Sequence, residues 1–235
     1  KYKTYSLNEN EEILEYSYGG QSYVTGSVPH LVASEVKILI LYGMLLMCLV
    51  LIINLKNIPS VLLILSIISL SLGSMMGFMG WVYHFTFSES FYFTLNHVSM
   101  PIILLTIANS DGVHVISRFF KELRKFKKTN LAISKAMEHL FLPISLTSIT
   151  TSLAFLSLIF SPLEGMGGYG ITLAFGIFWA WMLSLTMLPA LISLIKWDPK
   201  SKAIMKPSFI EKSMIKFGTL ITENPKKILS IALSF

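Results

Sequence analysis

Residues 107–119, Ile-Ala-Asn-Ser-Asp-Gly-Val-His-Val-Ile-Ser-Arg-Phe, place an acid, Asp111, and two bases, His114 and Arg118, inside a hydrophobic run. On a helix these three stand at i, i+3 and i+7 and share one face, flanked by Ser110 and Ser117. An imidazole titrates near neutral pH, and an enclosed carboxyl group takes or releases a proton according to its surroundings. The pair Asp111 and His114 can therefore relay protons along that face, forming the inner part of a proton path. The competing reading is that the two bond each other, or neighbouring helices, as packing contacts. Arg118 reads as an end residue whose stem lies on apolar surface while its head reaches the interface.

The elements that must hold this stripe are membrane spans. The chain has 235 residues, is 53% hydrophobic and only 14% charged, with a mean hydropathy of +0.65. Soluble domains carry about a quarter charged residues, so an enzyme in solution is excluded as a class. A bilayer crossing takes about 20 apolar residues. Runs at 36–55, 59–83, 95–117, 143–160 and 169–195 meet that length, and another begins near Ile228. The fold class expected is all-α and membrane-embedded, five spans plus the start of a sixth. A short α/β segment precedes them over 1–35, where YSYGGQSYVTGSV predicts a strand or two with turns. SVPHLVASEVK then predicts a short helix, with Ser27 as N-cap and Pro29 in its first turn. The chain reads as a fragment: it opens on a polar segment with no signal peptide and stops early in a hydrophobic run.

Charge sets the orientation. Of the 19 Lys and Arg, all but Lys1, Lys3 and Lys37 fall on one side of the alternating spans, the cytoplasmic side by the positive-inside rule. Segments 118–141 and 196–227 are thus expected in the cytoplasm, with 130–141 an amphipathic stretch near the membrane surface and 197–227 a linker. Phe209, Met214, Ile215 and Phe217 hint at a surface helix in that linker. The N-terminal segment and the loop SPLEGMGGYG lie outside. The net charge of +6 fits basic loops facing anionic lipid, not nucleic acid. The single cysteine, Cys48, allows no disulfide within the chain and reads as a small hydrophobe.

Of the 13 acids, only Asp111 falls within an expected span; Glu122 falls in the basic segment beyond it. A mid-membrane Asp costs roughly 2.5–3.5 kcal/mol on insertion scales and is tolerated facing a bundle interior or a wet cavity, where it is functional by default. Asn109 and Ser110 on the same span, and Thr147, Ser148, Thr150 and Thr151 on the next span, 143–160, could help hydrate or bond it. Those hydroxyls could equally bond their own helix backbone. Gly73, Gly77 and Gly80 have the spacing of a close helix contact. His84 and His97, at outer span ends, read as solvated and carry no assigned role.

The order of these pieces resembles a known superfamily. YVTGSVPHLVASEV leads into a span; ANSDGVHVISRF follows on the third; then come AISKAMEHLFLPISLTSITTSLAFLSLIFSP and GYGITLAFGIFWAWMLSLTMLPALISL. Together, over about residues 20–196, they resemble the resistance–nodulation–division (RND) superfamily, especially hydrophobe exporters with MMPL-type domains. A related five-span unit is the sterol-sensing domain of Patched-like and Niemann–Pick-type proteins. The resemblance implies two repeats, each with one span, a large extracytoplasmic domain and five more spans. This chain would be the tail of the first external domain, spans two to six, a cytoplasmic linker and the start of span seven. Transport-type members move protons through acids on the fourth span, and Asp111 falls on that position. Many relatives carry Gly-x-x-Asp-Tyr there, where this chain has Asn109-Ser110-Asp111-Gly112; His114 matches a histidine that some such exporters share.

The function so implied is proton-coupled export of hydrophobic or amphiphilic molecules from a bacterial inner membrane. It breaks no substrate bond, so it is no enzyme, and protons serve as coupling ion with no metal or other cofactor. Partners would be membrane lipids, the substrate and the second half of the same transporter, with homo-oligomers compatible and no nucleic acid. The alternatives are a lipid- or sterol-sensing or partner-binding module without transport, or a SecDF-like accessory of protein export.

Overall fold

The structure, a computed structural model, describes residues 21–91, 95–163 and 165–198, with a few positions between 218 and 225. Its helices run in the order α1 Gln21–Leu55, α2 Ile58–Thr86, α3 Met100–Phe126, α4 Thr129–Leu156, α5 Met166–Leu185 and α6 Met187–Leu194. Short 3₁₀ turns at Glu89–Phe91 and Leu95–Ser99 join α2 to α3, and another at Ser157–Phe160 follows α4. Five stretches are long and apolar enough to cross a membrane: Ile38–Leu55, Ile58–Thr86, His97–Phe126, Thr129–Phe160 and Met166–Leu194. The protein is a multi-pass integral membrane protein.

Local chemistry sets the breaks. Between α1 and α2 the chain turns at Lys56, whose φ of 51° is left-handed. Asn57 then caps α2, its side-chain oxygen accepting from the Ser60 amide at 3.2 Å and the Ser60 hydroxyl at 3.1 Å. Lys127, also left-handed with φ 55°, ends α3 by donating its amide to Leu123. Pro189 cannot donate to the Leu185 carbonyl, and its ring crowds that turn, so α5 stops at Leu185 and α6 starts afresh.

Helices α3 and α5 form the centre, each touching both α2 and α4, while α1 leans on α2 and α3. Half of the spanning window is buried for α3 and for α5 (50% each), against 11% for α1. Ile64, Ile68, Met75, Leu104, Ala108 and Ile177 fill the middle of the bundle. At one end Trp197 folds back onto Phe119 and Phe120, its rings edge-on at 5.4 and 5.7 Å, with its Nε1 donating to Ile192 at 2.8 Å.

Several expectations change. Residues 21–28 are helical, not strand, and α1 runs unbroken through Ser27 and Pro29, so Ser27 is no N-cap. The remaining part of the expected α/β segment, residues 1–20, lies outside the described residues, as do the linker's surface helix over 209–217 and the run from Ile228. Helix α3 continues nine residues past 117. Residues 130–141 are no separate surface helix but the first half of a 28-residue α4, which runs on through Pro143 into the span.

Glycine also acts elsewhere than expected. Gly73, Gly77 and Gly80 face open space, while a Cβ on Gly112 would lie 3.1 Å from Ile64 and one on Gly176 2.7 Å from Met75. A Cβ on Gly168 would collide with the Ser90 carbonyl, a backbone group that cannot step aside. Gly168→Ala should therefore lower the unfolding midpoint in detergent, by about 1–3 kcal/mol of overpacking strain. Gly77→Ala, by contrast, should leave it unchanged or slightly raised.

Candidate functional site

Asp111 projects from α3 toward α4 and is buried, 6% exposed. The Ser148 hydroxyl of α4 donates to its Oδ2 at 3.3 Å. Around them a cleft of about 360 Å³ opens between the two helices. From α3 it is lined by Thr106, Ser110, Asp111 and His114, and from α4 by Pro143, Thr147, Ser148 and Thr151. The α4 set follows helical periodicity: Ile144, Thr147, Ser148 and Thr151 stand at i, i+3, i+4 and i+7 and share the face toward α3. Asp111 and Ser148 are thus the buried polar members of the cleft, whereas Ser110 and His114 are exposed along its open side.

The threonines mostly satisfy themselves. Thr147 donates to Pro143 and Ile144 carbonyls at 3.1 and 3.0 Å, and Thr151 to Thr147 at 2.6 Å. Both still border the cleft. Thr150, expected beside them, donates to Leu146 and Thr147 carbonyls and does not line the cleft. It stands two residues from Ser148, about 200° around the helix. Asn109 is likewise two residues from Asp111 and points away from the cleft; its Oδ1 is buried without a partner among the described residues. Asn109 and Thr150 therefore leave the expected group, and Ser148 is the hydroxyl that reaches the acid. Nothing local in the sequence singles out Ser148, since the contact spans 37 residues.

Pro143 sits inside α4 and on the cleft. It has no amide proton to give the carbonyl four residues back, which weakens the helix at that turn. A second link holds α4 to α5: Trp181 donates through Nε1 to the Ser145 hydroxyl at 3.0 Å.

Two more polar groups lie where sequence reasoning did not put them. Glu122, expected in a solvated segment, is 2% exposed and paired with Arg118 at 3.1 Å and Lys125 at 3.4 Å. It is the eleventh residue after Asp111, only about 20° off its azimuth, so the spacing did carry the signal. Arg118 accordingly turns to a carboxylate rather than simply reaching the interface. His97, expected to be solvated, is fully buried with its ring 5.9 Å from that of Tyr169; the Tyr169 and Ser99 hydroxyls are 2.9 Å apart. His84 is exposed. Among the described residues no three His, Cys, Asp or Glu side chains gather to hold a metal ion.

An apolar five-span bundle with a carboxyl buried at a polar interhelical cleft defines an intramembrane site in an integral membrane protein. The MMPL family model matches residues 9–228, nearly the whole chain, and the chain belongs to the MMPL family. It is similar to a membrane protein of Methanocaldococcus jannaschii, 33% identical over 90 residues, which are 38% of this chain and 23% of that protein. It is also similar to the protein named probable transport protein MmpL12 of Mycobacterium tuberculosis, in two strains. That identity is 27% over 97 residues, 41% of this chain and 8% of that protein. The matched stretches thus span less than a quarter of either relative.

The hydroxyl contact to Asp111 is buried and the Thr150 hydroxyl is self-satisfied, which sets a contrast. Ser148→Ala should destabilise the protein by about 1 kcal/mol, the worth of a typical lost hydrogen bond. Thr150→Ala should change the unfolding midpoint in detergent by less than about 0.5 kcal/mol.

Proposed function

We propose that the chain is the first five-span unit of a proton-coupled transporter that exports hydrophobic or amphiphilic, lipid-like molecules. One observation carries this: a buried carboxyl group at a polar-lined cleft inside the membrane bundle, met by a single hydroxyl. A neutral Asp111 is well served by one hydroxyl. An ionised one calls for more donors, which water in the cleft, His114 or a closer approach of α4 can supply. Protonation therefore biases the α3–α4 packing between two arrangements, and the weak turn at Pro143 lets α4 follow. A proton taken up from outside and released inward drives one such cycle per passage.

In this reading the open side of the cleft, with Ser110 and His114, is the face that the second half of the transporter covers. His114 carries the proton between Asp111 and the inner end. The basic segments 118–141 and 196–227 lie in the cytoplasm, their lysines beside anionic lipid of a bacterial inner membrane. The name of the mycobacterial relative, a transport protein, supports the transport part. No substrate bond changes, so protons are the only co-reactant.

The full-length protein in proteoliposomes, with an imposed pH gradient and a fluorescent single-chain lipid as probe, tests this. Asp111→Asn should cut gradient-driven lipid movement by about tenfold or more while the unfolding midpoint stays near that of the parent. Unchanged movement with Asp111→Asn would assign the unit to lipid sensing or partner binding instead. Loss of protein export rather than lipid export in cells would favour a secretion accessory.

A further inference from the structure

The Glu122–Arg118 pair has no evident stabilising purpose. A solvated i, i+4 pair contributes only a few tenths of a kcal/mol, and burying one costs more than its attraction returns. Yet Glu122 is nearly inaccessible, and Arg118 is only partly exposed at 26%. The Arg118 Nε is itself buried without a partner among the described residues. The guanidinium is thus held through its Nη2, 3.1 Å from Glu122 Oε1, and through little else.

Arg118 also stands on the stripe of Asp111, seven residues on and about 20° off its azimuth, with His114 between. That separation is about 10 Å of helix rise. Long helical side chains lean toward the N-terminus, which for Arg118 is the direction of His114 and the cleft. An arginine released from Glu122 and extended that way spans most of the distance to Asp111. Its permanent charge would then sit beside the acid and favour its ionised form. The other charged groups facing Glu122 are Lys125, which is well exposed at 56%, and Lys135 of α4, within its electrostatic reach. Lys125 has solvent as an alternative partner and Lys135 is already paired with Glu138 at 2.7 Å, whereas Arg118 has the cleft.

We propose that Glu122 is a positioning residue for the proton site: it tethers Arg118 one turn toward the inner end and keeps that fixed positive charge out of the Asp111 cleft. The inference rests on the proton-coupled reading above. No proton passes through Glu122; it acts on Asp111 only through where Arg118 lies.

The pH profile of gradient-driven lipid movement tests it in the same full-length proteoliposomes. Glu122→Gln should displace the profile toward acid by about one pH unit, the effect of a cation brought beside a carboxylate. Arg118→Met alone, and Arg118→Met with Glu122→Gln, should both return the parent profile, because no cation is left to intrude. Lys125→Ala should leave it in place. A Glu122→Gln protein with lower stability and an unmoved profile overturns the proposal in favour of a structural pair. So does a displaced profile that Arg118→Met fails to correct. If Glu122→Gln proves too unstable to purify, Glu122→Asp, whose shorter side chain loosens the tether, should displace the profile in the same direction, and an unmoved profile there overturns the proposal. Lipid movement that survives Asp111→Asn at every pH removes the underlying reading instead, and is told apart by that variant alone.

Discussion

The Asp111 carboxyl group, enclosed in the membrane bundle and met among the described residues by the Ser148 hydroxyl, is the constraint around which the rest is arranged. Placing an ionisable acid at mid-membrane costs roughly 2.5–3.5 kcal/mol on insertion scales. A hydrogen bond from Ser148, long at 3.3 Å, returns about 0.5–1.5 kcal/mol at best. The difference is not recovered at the site. It is offset by the apolar faces of α3, where Leu104, Ala108, Val115 and Ile116 are buried. A position held against its own local cost is the mark of use rather than of stability, which is why Asp111 stands at the centre of the functional reading.

The packing explains how α3 carries such a group. Asp111 looks to α4, and the next residue, Gly112, lets Ile64 of α2 come to van der Waals distance. A larger residue at 112 would push α2 away and loosen the helix on the side opposite the cleft. Gly176 serves the α2–α5 contact in the same manner, against Met75. The acid is therefore on a helix clamped on its apolar side and open on its polar side, so a change in charge finds its least resistance toward α4. Pro143 lies on that path.

The membrane class, the five spans and the buried acid at Asp111 were all legible from hydropathy and from one aspartate in an apolar run, although the span of α3 also holds Glu122. So was the shared face of Asp111 and His114, because both follow from helical spacing within one element. What escaped was everything that depends on a second element or on where a helix stops. Ser148 could not be preferred over Thr150 without knowing which side of α4 meets α3. Glu122 was placed in solvent because the basic residues around it mark a loop in a count of charges, while the helix in fact continues to Phe126. The burial of His97 comes from a distant partner, Tyr169, 72 residues away. Gly73, Gly77 and Gly80 show the converse, a local pattern for close contact where no described residue comes within 4 Å of an added Cβ.

The central claim is that Asp111 gains and loses a proton while enclosed among the helices. Infrared difference spectroscopy on the full-length protein in lipid, recorded across a pH jump, reads it directly through the carbonyl stretch of a protonated carboxyl group. A band that appears and disappears reversibly with pH, and that Asp111→Asn abolishes, is the predicted result. A spectrum with no such band at any pH in the working range, or one that Asp111→Asn leaves intact, would contradict it.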